Sequence, residues 1–243
     1  MVRYNCKSNL SLPAFVDKGE KILLGQKDIT EKILADYNDV FADIVNTLIF
    51  DGEQRIKPEA LIPASTRTQY KADTRELHEQ ERDIAKYWTD GKTLFALCGL
   101  ENQTKVDWNM TFRIIGYDGV AYRAQLLNKK KIVPVITIVL YFGTDRRWNA
   151  PCSIKELVST PEGLESCVND YKVKVFEIAW LTDEQLKMFT SDFGIAANFF
   201  VQKRKKKDYV PDDPIELVHV DEVLKLLSVM TGDVRYESIL AEK

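Results

Sequence analysis

Glu81-Arg82-Asp83-Ile84-Ala85-Lys86-Tyr87-Trp88-Thr89-Asp90-Gly91-Lys92-Thr93-Leu94-Phe95-Ala96-Leu97-Cys98-Gly99-Leu100-Glu101-Asn102-Gln103 is the stretch on which the fold turns. Asp90-Gly91 between two extended runs is a hairpin signal, because a tight turn needs residues that tolerate positive φ. The pattern predicts strands over about 79–88 and 92–103. Side chains alternate along a strand, so Glu101 and Gln103 share one face and Asn102 faces the other. A carboxylate that follows the apolar run from Leu94 to Leu100 is costly without a partner. With Asp83 opposite Glu101, a divalent cation is one such partner. Arg82, as an ordinary ion-pair mate, is the other.

The elements on either side extend this hairpin into a sheet. Upstream, Asp28-Ile29-Thr30-Glu31 has the form of a capping box. Ile33, Leu34, Tyr37, Val40, Phe41, Ile44, Val45 and Leu48 then recur at helical spacing, predicting a helix of about twenty residues that stops near Asp51-Gly52. Residues 52–67 read as a loop and 68–71 as a short strand. Downstream, Met110, Ile114, Tyr117, Ala121, Ala124 and Leu127 predict a helix over about 109–128. Val133 to Phe142 is a β-branched run without alternation, hence a strand buried on both faces. Val173 to Ala179 is a further strand. Thr182-Asp183-Glu184 opens a helix carrying Leu186, Phe189, Phe193, Ile195, Ala196 and Phe200, and 215–231 forms a last amphipathic helix. The expected class is α/β, a mixed β-sheet flanked by helices with an αβββαβ core. The expected division is an N-terminal arm at 1–24, a main domain at 25–207 and a C-terminal helical extension at 208–243.

Composition removes several functional classes. With 243 residues, 45% hydrophobic and 29% charged, the chain suits one full-sized globular core. No apolar run approaches the roughly 18–20 residues that span a bilayer. The start of the sequence lacks the pattern of a secretory signal. Cys6, Cys98, Cys152 and Cys167 have no paired spacing, which argues against a zinc site or a disulfide framework and for reduced thiols in a cytoplasmic protein. Two histidines leave little room for histidine-based triads or metal sites. The net charge of −3 is not that of a bulk electrostatic nucleic-acid binder. Basic residues nevertheless cluster at Lys129-Lys130-Lys131, Arg146-Arg147 and Lys203-Arg204-Lys205-Lys206-Lys207. Such runs are either solvated helix ends or phosphate contacts.

The chemistry of Asp83 and Glu101 suits Mg²⁺, which keeps several waters and takes one or two carboxylates alongside substrate phosphate oxygens. The backbone carbonyl of Asn102 is a candidate third ligand. Gln103 can hydrogen-bond the attacking water or a phosphate oxygen but carries no charge. Lys86 or Lys105 are candidates for that charge. Trp88, Trp108, Trp148 and Trp180 read as packing anchors rather than base-stacking platforms, and Asp118-Gly119 as a turn or helix break.

An acid on the second strand and Glu-x-Gln on the third resemble the PD-(D/E)XK nuclease superfamily, whose fold is restriction-endonuclease-like. Tyr37-Asn38-Asp39-Val40-Phe41-Ala42-Asp43-Ile44-Val45-Asn46, Phe112-Arg113-Ile114-Ile115-Gly116-Tyr117, Leu140-Tyr141-Phe142-Gly143 and Leu181-Thr182-Asp183-Glu184-Gln185 are similar to one bacterial branch of it. That branch is the recombination-promoting nuclease/putative transposase family, and the likeness covers about 28–205. It implies a metal-dependent DNA endonuclease linked to recombination or mobile elements, with Asp83, Glu101 and Gln103 catalytic and Mg²⁺ (or Mn²⁺) held by Asp83, Glu101 and Asn102. DNA is the implied partner, with a homodimer as the assembly to test and no membrane. The superfamily usually carries lysine where this chain has Gln103, although some active members carry glutamine. The alternative is therefore a catalytically inactive DNA- or protein-binding module of the same fold. Related folds lend an acidic side chain from the first helix, which nominates Asp43 or Asn46; the other reading of both is a solvated polar face. Arg113 and Tyr117, neighbours at i, i+4, either grip a substrate phosphate or form an ordinary surface pair.

Overall fold

The computed structural model describes residues 33–65, 67–71, 77–129, 131–207, 209 and 216–231. The proposed arm at 1–24 and the capping box at 28–31 lie outside the described residues, as does part of 208–243. Five strands form one mixed sheet in the order β1-β4-β5-β6-β7: Leu61–Pro63, Ile84–Thr89, Leu94–Gln103, Val135–Tyr141 and Lys174–Glu177. β1, β4 and β5 run antiparallel, whereas β5, β6 and β7 run parallel. A separate ribbon pairs β2 (Arg67–Lys71) with β3 (Leu77–Glu81). The helices are α1 (Asn38–Ile49), α2 (Met110–Leu127), α3 (Ile154–Leu157), α4 (Asp183–Leu186), α5 (Phe193–Lys205) and α6 (Val220–Thr231). This is a restriction-endonuclease-like arrangement of helices around a five-stranded mixed sheet.

The central hairpin forms as its turn chemistry requires. Gly91 has φ +86°, and Asp90 Oδ1 accepts the amides of Lys92 and Thr93 at 2.9 and 2.6 Å. Its first strand, however, is not continuous over 79–88. β3 ends at Glu81 in the ribbon, β4 begins at Ile84 in the main sheet, and Arg82 and Asp83 form the joint. The chain breaks there because the Asp83 carboxylate takes the Asn102 amide, at 2.8 Å, in place of a backbone carbonyl.

One face of the sheet carries most of the apolar core. Ala96, Cys98 and Leu100 of β5 and Ile138 and Leu140 of β6 meet Phe41, Ile44 and Val45 of α1 and Phe199 and Phe200 of α5. The expected twenty-residue first helix is interrupted at Asp36–Tyr37, leaving α1 with twelve residues. α6 belongs to the same core through Val223, Leu226 and Leu227, and Asp39 holds His219 at 2.8 Å. The segment expected as an extension is thus packed on α1. The helix expected from Thr182 is two helices. α4 carries the Thr182/Gln185 capping box but ends after one turn, and Asp43 gathers the amides and hydroxyls of Thr190 and Ser191 before α5 starts.

The opposite face is covered by α2, whose Met110, Ile114 and Tyr117 pack on Val139 and Val173. Gly116 and Gly119 do not break it. The buried stripe continues through Asp118 and Gln125, while Leu127 is exposed, so the second half of the helix is rotated relative to the expected stripe. Gln125 closes the edge at Val133, accepting its amide at 2.7 Å. β6 is buried on both faces apart from Ile136, and Leu61–Pro63, expected as loop, adds the short edge strand β1.

Candidate active site

Where antiparallel pairing gives way to parallel pairing, β5 ends and the acidic side chains meet. Glu101 is 1% exposed and lies on the α2 face. Its Oε2 is 3.4 Å from the Asp83 amide, while Asp83 Oδ2 accepts the Asn102 amide. The two acidic residues are therefore interlocked, each carboxylate set against the backbone of the other segment. Gln103 Nε2 reaches Glu101 Oε1 at 3.4 Å. From α2, Arg113 Nη2 donates to the same Oε1, its Nη1 donates to Asp107 at 2.9 Å, and the Tyr117 hydroxyl accepts from Arg113 at 3.0 Å.

The electrostatics of Glu101 are set by burial and by the neighbouring acid. Burial first, and the Asp83 carboxylate second, push the Glu101 carboxyl up to about 7 against the pull of Arg113. Burial works against the Arg113 charge too, but Glu101, Asp107 and Tyr117 hold it above its ordinary value. Burial and then Glu101 raise the Tyr117 hydroxyl.

Beneath this site lies a second network. Arg82 crosses β5 over Gly99, where a Cβ would stand 2.5 Å from Arg82 Cδ; only glycine leaves the passage open. Its guanidinium reaches Asp118 at 2.7 Å, and Asp118 also accepts the Thr137 hydroxyl at 2.6 Å and the Tyr171 hydroxyl. Arg82 is therefore the mate of Asp118 and not of Asp83 or Glu101. Burial pulls its guanidinium below the ordinary value while Asp118 opposes that pull. Asp118, read from sequence as a turn residue, is 3% exposed. Its place on the apolar stripe, four residues after Ile114, is the sequence signal that marks it as buried. Asp107 is the other unforeseen member.

The remaining candidates go elsewhere. Asn46 is fully buried and exchanges hydrogen bonds with the Ile56 backbone at 2.8 and 2.9 Å, so neither it nor Asp43 is brought to the carboxylates, nor is either on a solvated face. Lys86 points to the α1 face, 3.0 Å from Asp36 and over the Phe41 ring, and supplies no charge at the site. Lys105 lines a separate cleft just past β5. The Asn102 side chain is buried, and among the described residues neither of its polar atoms has a partner. Of the tryptophans, Trp108 is exposed at the start of α2, unlike a packing anchor.

Among the described residues no three or more His, Cys, Asp or Glu side chains form a metal cluster. Mg²⁺ nevertheless accepts as few as one or two carboxylates, the rest of its shell being water and phosphate oxygens. The carbonyls of β5 alternate in direction, and that of Gln103 bonds Phe142 of the β6 segment, which turns the Asn102 carbonyl toward Asp83.

A mixed sheet with paired acids at its antiparallel-to-parallel switch defines the PD-(D/E)XK class of fold. Residues 77–221 match the model of the family described as "putative transposase, YhgA-like", which spans well over half of the chain. The chain belongs to that family, which links it to mobile elements. No curated protein and no solved structure matches it significantly. No helix among the described residues is long and apolar enough to cross a membrane.

Proposed function

We propose that this protein is a metal-dependent DNA endonuclease that serves a mobile element or recombination. The observation that carries the reading is the interlocking of Asp83 with Glu101, two acids from adjacent segments whose mutual repulsion persists with Arg113 attached. Asp83, Glu101 and the Asn102 carbonyl would hold Mg²⁺ or Mn²⁺. A bound ion of this kind lowers the pKa of a water and stabilises the leaving oxygen of a phosphodiester. Gln103 and Arg113 both donate to Glu101 Oε1, which fixes the carboxylate plane and leaves Oε2 turned to Asp83. With part of its surface exposed, Arg113 also offers a forked donor to a neighbouring phosphate, and Tyr117 steadies it. Glutamine at 103 contributes no charge, so the cationic part falls to Arg113.

The test is nicking of supercoiled plasmid with and without divalent ion. Asp83→Ala and Glu101→Ala are expected to lower the rate by about a thousandfold or more, as loss of groups that act as a unit does. Wild-type rates in both variants would remove these residues from the mechanism. A second reading, a non-cutting DNA- or protein-binding module, is favoured by two observations: Arg113 already neutralises part of Glu101, and Gln103 replaces the usual lysine. That reading predicts DNA binding with no nicking under any divalent ion.

A further inference from the structure

Just past the end of β5 a cleft of about 520 Å³ opens between the 143–146 loop and α5. Its cations are Lys105, Arg146 and Lys203, its hydroxyls belong to Thr104 and Thr144, and Asp145 is the acid among them. Neighbours in the basic clusters have structural work. Arg147 holds Glu177 at 2.6 Å, Arg204 donates to the Ala179 carbonyl at 2.8 Å, and both lie over Trp180. Lys105 and Arg146 are exposed and, among the described residues, neither is held in an ion pair, although the Arg146 side chain also lies within reach of the Tyr141 hydroxyl. Lys203 lies over the Phe199 ring at 5.4 Å.

The loop that carries Arg146 is shaped for close approach. The Tyr141 hydroxyl donates to the Arg146 carbonyl at 2.9 Å, drawing 141–146 into a closed turn. Any Cβ at Gly143 would collide with that hydroxyl, so the wall stays low where Gly143 lines the cleft. The Leu140-Tyr141-Phe142-Gly143 motif, which has no part in the acidic site, thus builds this wall. Thr104 follows Gln103 directly, and three strand residues put the cleft about 10 Å from Glu101.

We infer that this cleft binds the phosphodiester backbone of the DNA strand running on from the cleavage site, with Lys105, Arg146 and Lys203 as phosphate contacts. Three cations against one acid, on a chain of net charge −3, make a local positive field that suits a polyanion. A crevice beyond the carboxyl ends of strands is also where open sheets bind ligands. The identity of the strand rests on the nuclease reading; the binding itself does not.

The test is anisotropy of a fluorescein-labelled DNA duplex, titrated in EDTA over a range of salt concentrations so that no cutting intervenes. The triple variant Lys105→Ala/Arg146→Ala/Lys203→Ala is expected to reduce the slope of log K against log salt by about three, roughly one for each lost contact. Arg146→Glu alone should reduce it by at least about one. Lys131→Ala, an exposed lysine preceding the other end of β6, serves as the control and should leave the slope unchanged. An unchanged slope in the triple variant, or wild-type protein that binds RNA but not DNA, overturns the inference. If those variants bind like wild type while Glu101→Ala abolishes nicking, the cleft proposal fails and the nuclease reading stands. If nicking is absent yet the slope falls as expected, the reverse holds.

Discussion

Two arginine–carboxylate pairs flank one aromatic ring, with Arg82 and Arg113 at 5.6 and 5.9 Å from the centroid of Tyr117. In the inner pair, Arg82 and Asp118 are each 4% exposed, and Asp118 receives two further hydroxyls. In the outer pair, Glu101 is as deeply buried but Arg113 is one-third exposed, and a second carboxylate stands beside Glu101. Each acid accepts three hydrogen bonds from the protein. Only the outer one stands beside a second carboxylate, and its carboxyl is raised to about 7 by burial and by Asp83. Like chemistry thus serves two ends, one fixing α2 to the sheet and the other holding a raised carboxyl beside a second acid.

The inner pair is the place to look for the largest effect on stability. Asp118→Ala strands the Arg82 charge and should cost about 3–5 kcal/mol in chemical denaturation. The double variant Arg82→Met/Asp118→Leu should recover most of that loss, because two apolar groups leave no buried charge. A double variant no more stable than the single one would show that the pair is more than a satisfied charge couple.

The outer pair should respond in the opposite direction. An unfolded glutamate titrates near 4.3, and the folded Glu101 carboxyl is raised to about 7. Below the lower value both states are protonated and Glu101 contributes nothing. Between the two values only the unfolded chain ionises, so stability falls as pH rises, and above about 7 the full penalty is present. Glu101→Gln is therefore expected to stabilise the fold by up to about 4 kcal/mol at pH 8 and to have little effect at pH 4. Thermal melts at the two pH values check this, and a destabilised variant at pH 8 would mean that the acid is already well neutralised.

A smaller effect is expected at Asn102. Its buried amide has no hydrogen-bond partner among the described residues, while the ligand role proposed for this residue uses only the backbone carbonyl. Asn102→Leu should raise stability by about 1 kcal/mol and leave divalent-dependent nicking unchanged. Loss of nicking in a well-folded variant would place the side chain in the site.

Much of this arrangement could be read from residue order, and the failures have physical causes. Asp90-Gly91 announced the hairpin because its turn requires positive φ, and the unalternating run from Val133 to Phe142 announced a central strand, found at Val135–Tyr141. Alternation placed Glu101 and Gln103 on one face, and the structure puts them there together with Arg113 and Tyr117. The break at Arg82–Asp83 was hidden because a side chain replaces a ladder bond, which no periodicity records. Asp43 and Asn46 sit at helical spacing suited to a polar face, yet both cap distant backbone, since α4, α5 and the 52–57 segment fold over that side of α1. The partner of Arg82 is 36 residues away on another element, beyond what local spacing reports.

The central claim is that Asp83 and Glu101 together hold one divalent cation. Calorimetric titration of Mn²⁺ or Mg²⁺ into the full chain at pH 8 tests it most directly. The account predicts saturable uptake of about one ion per chain at a site of this two-carboxylate kind, abolished in Glu101→Gln and in Asp83→Asn and retained in Asn102→Leu. No uptake by the wild-type chain, or equal uptake in the two acid variants, would contradict it.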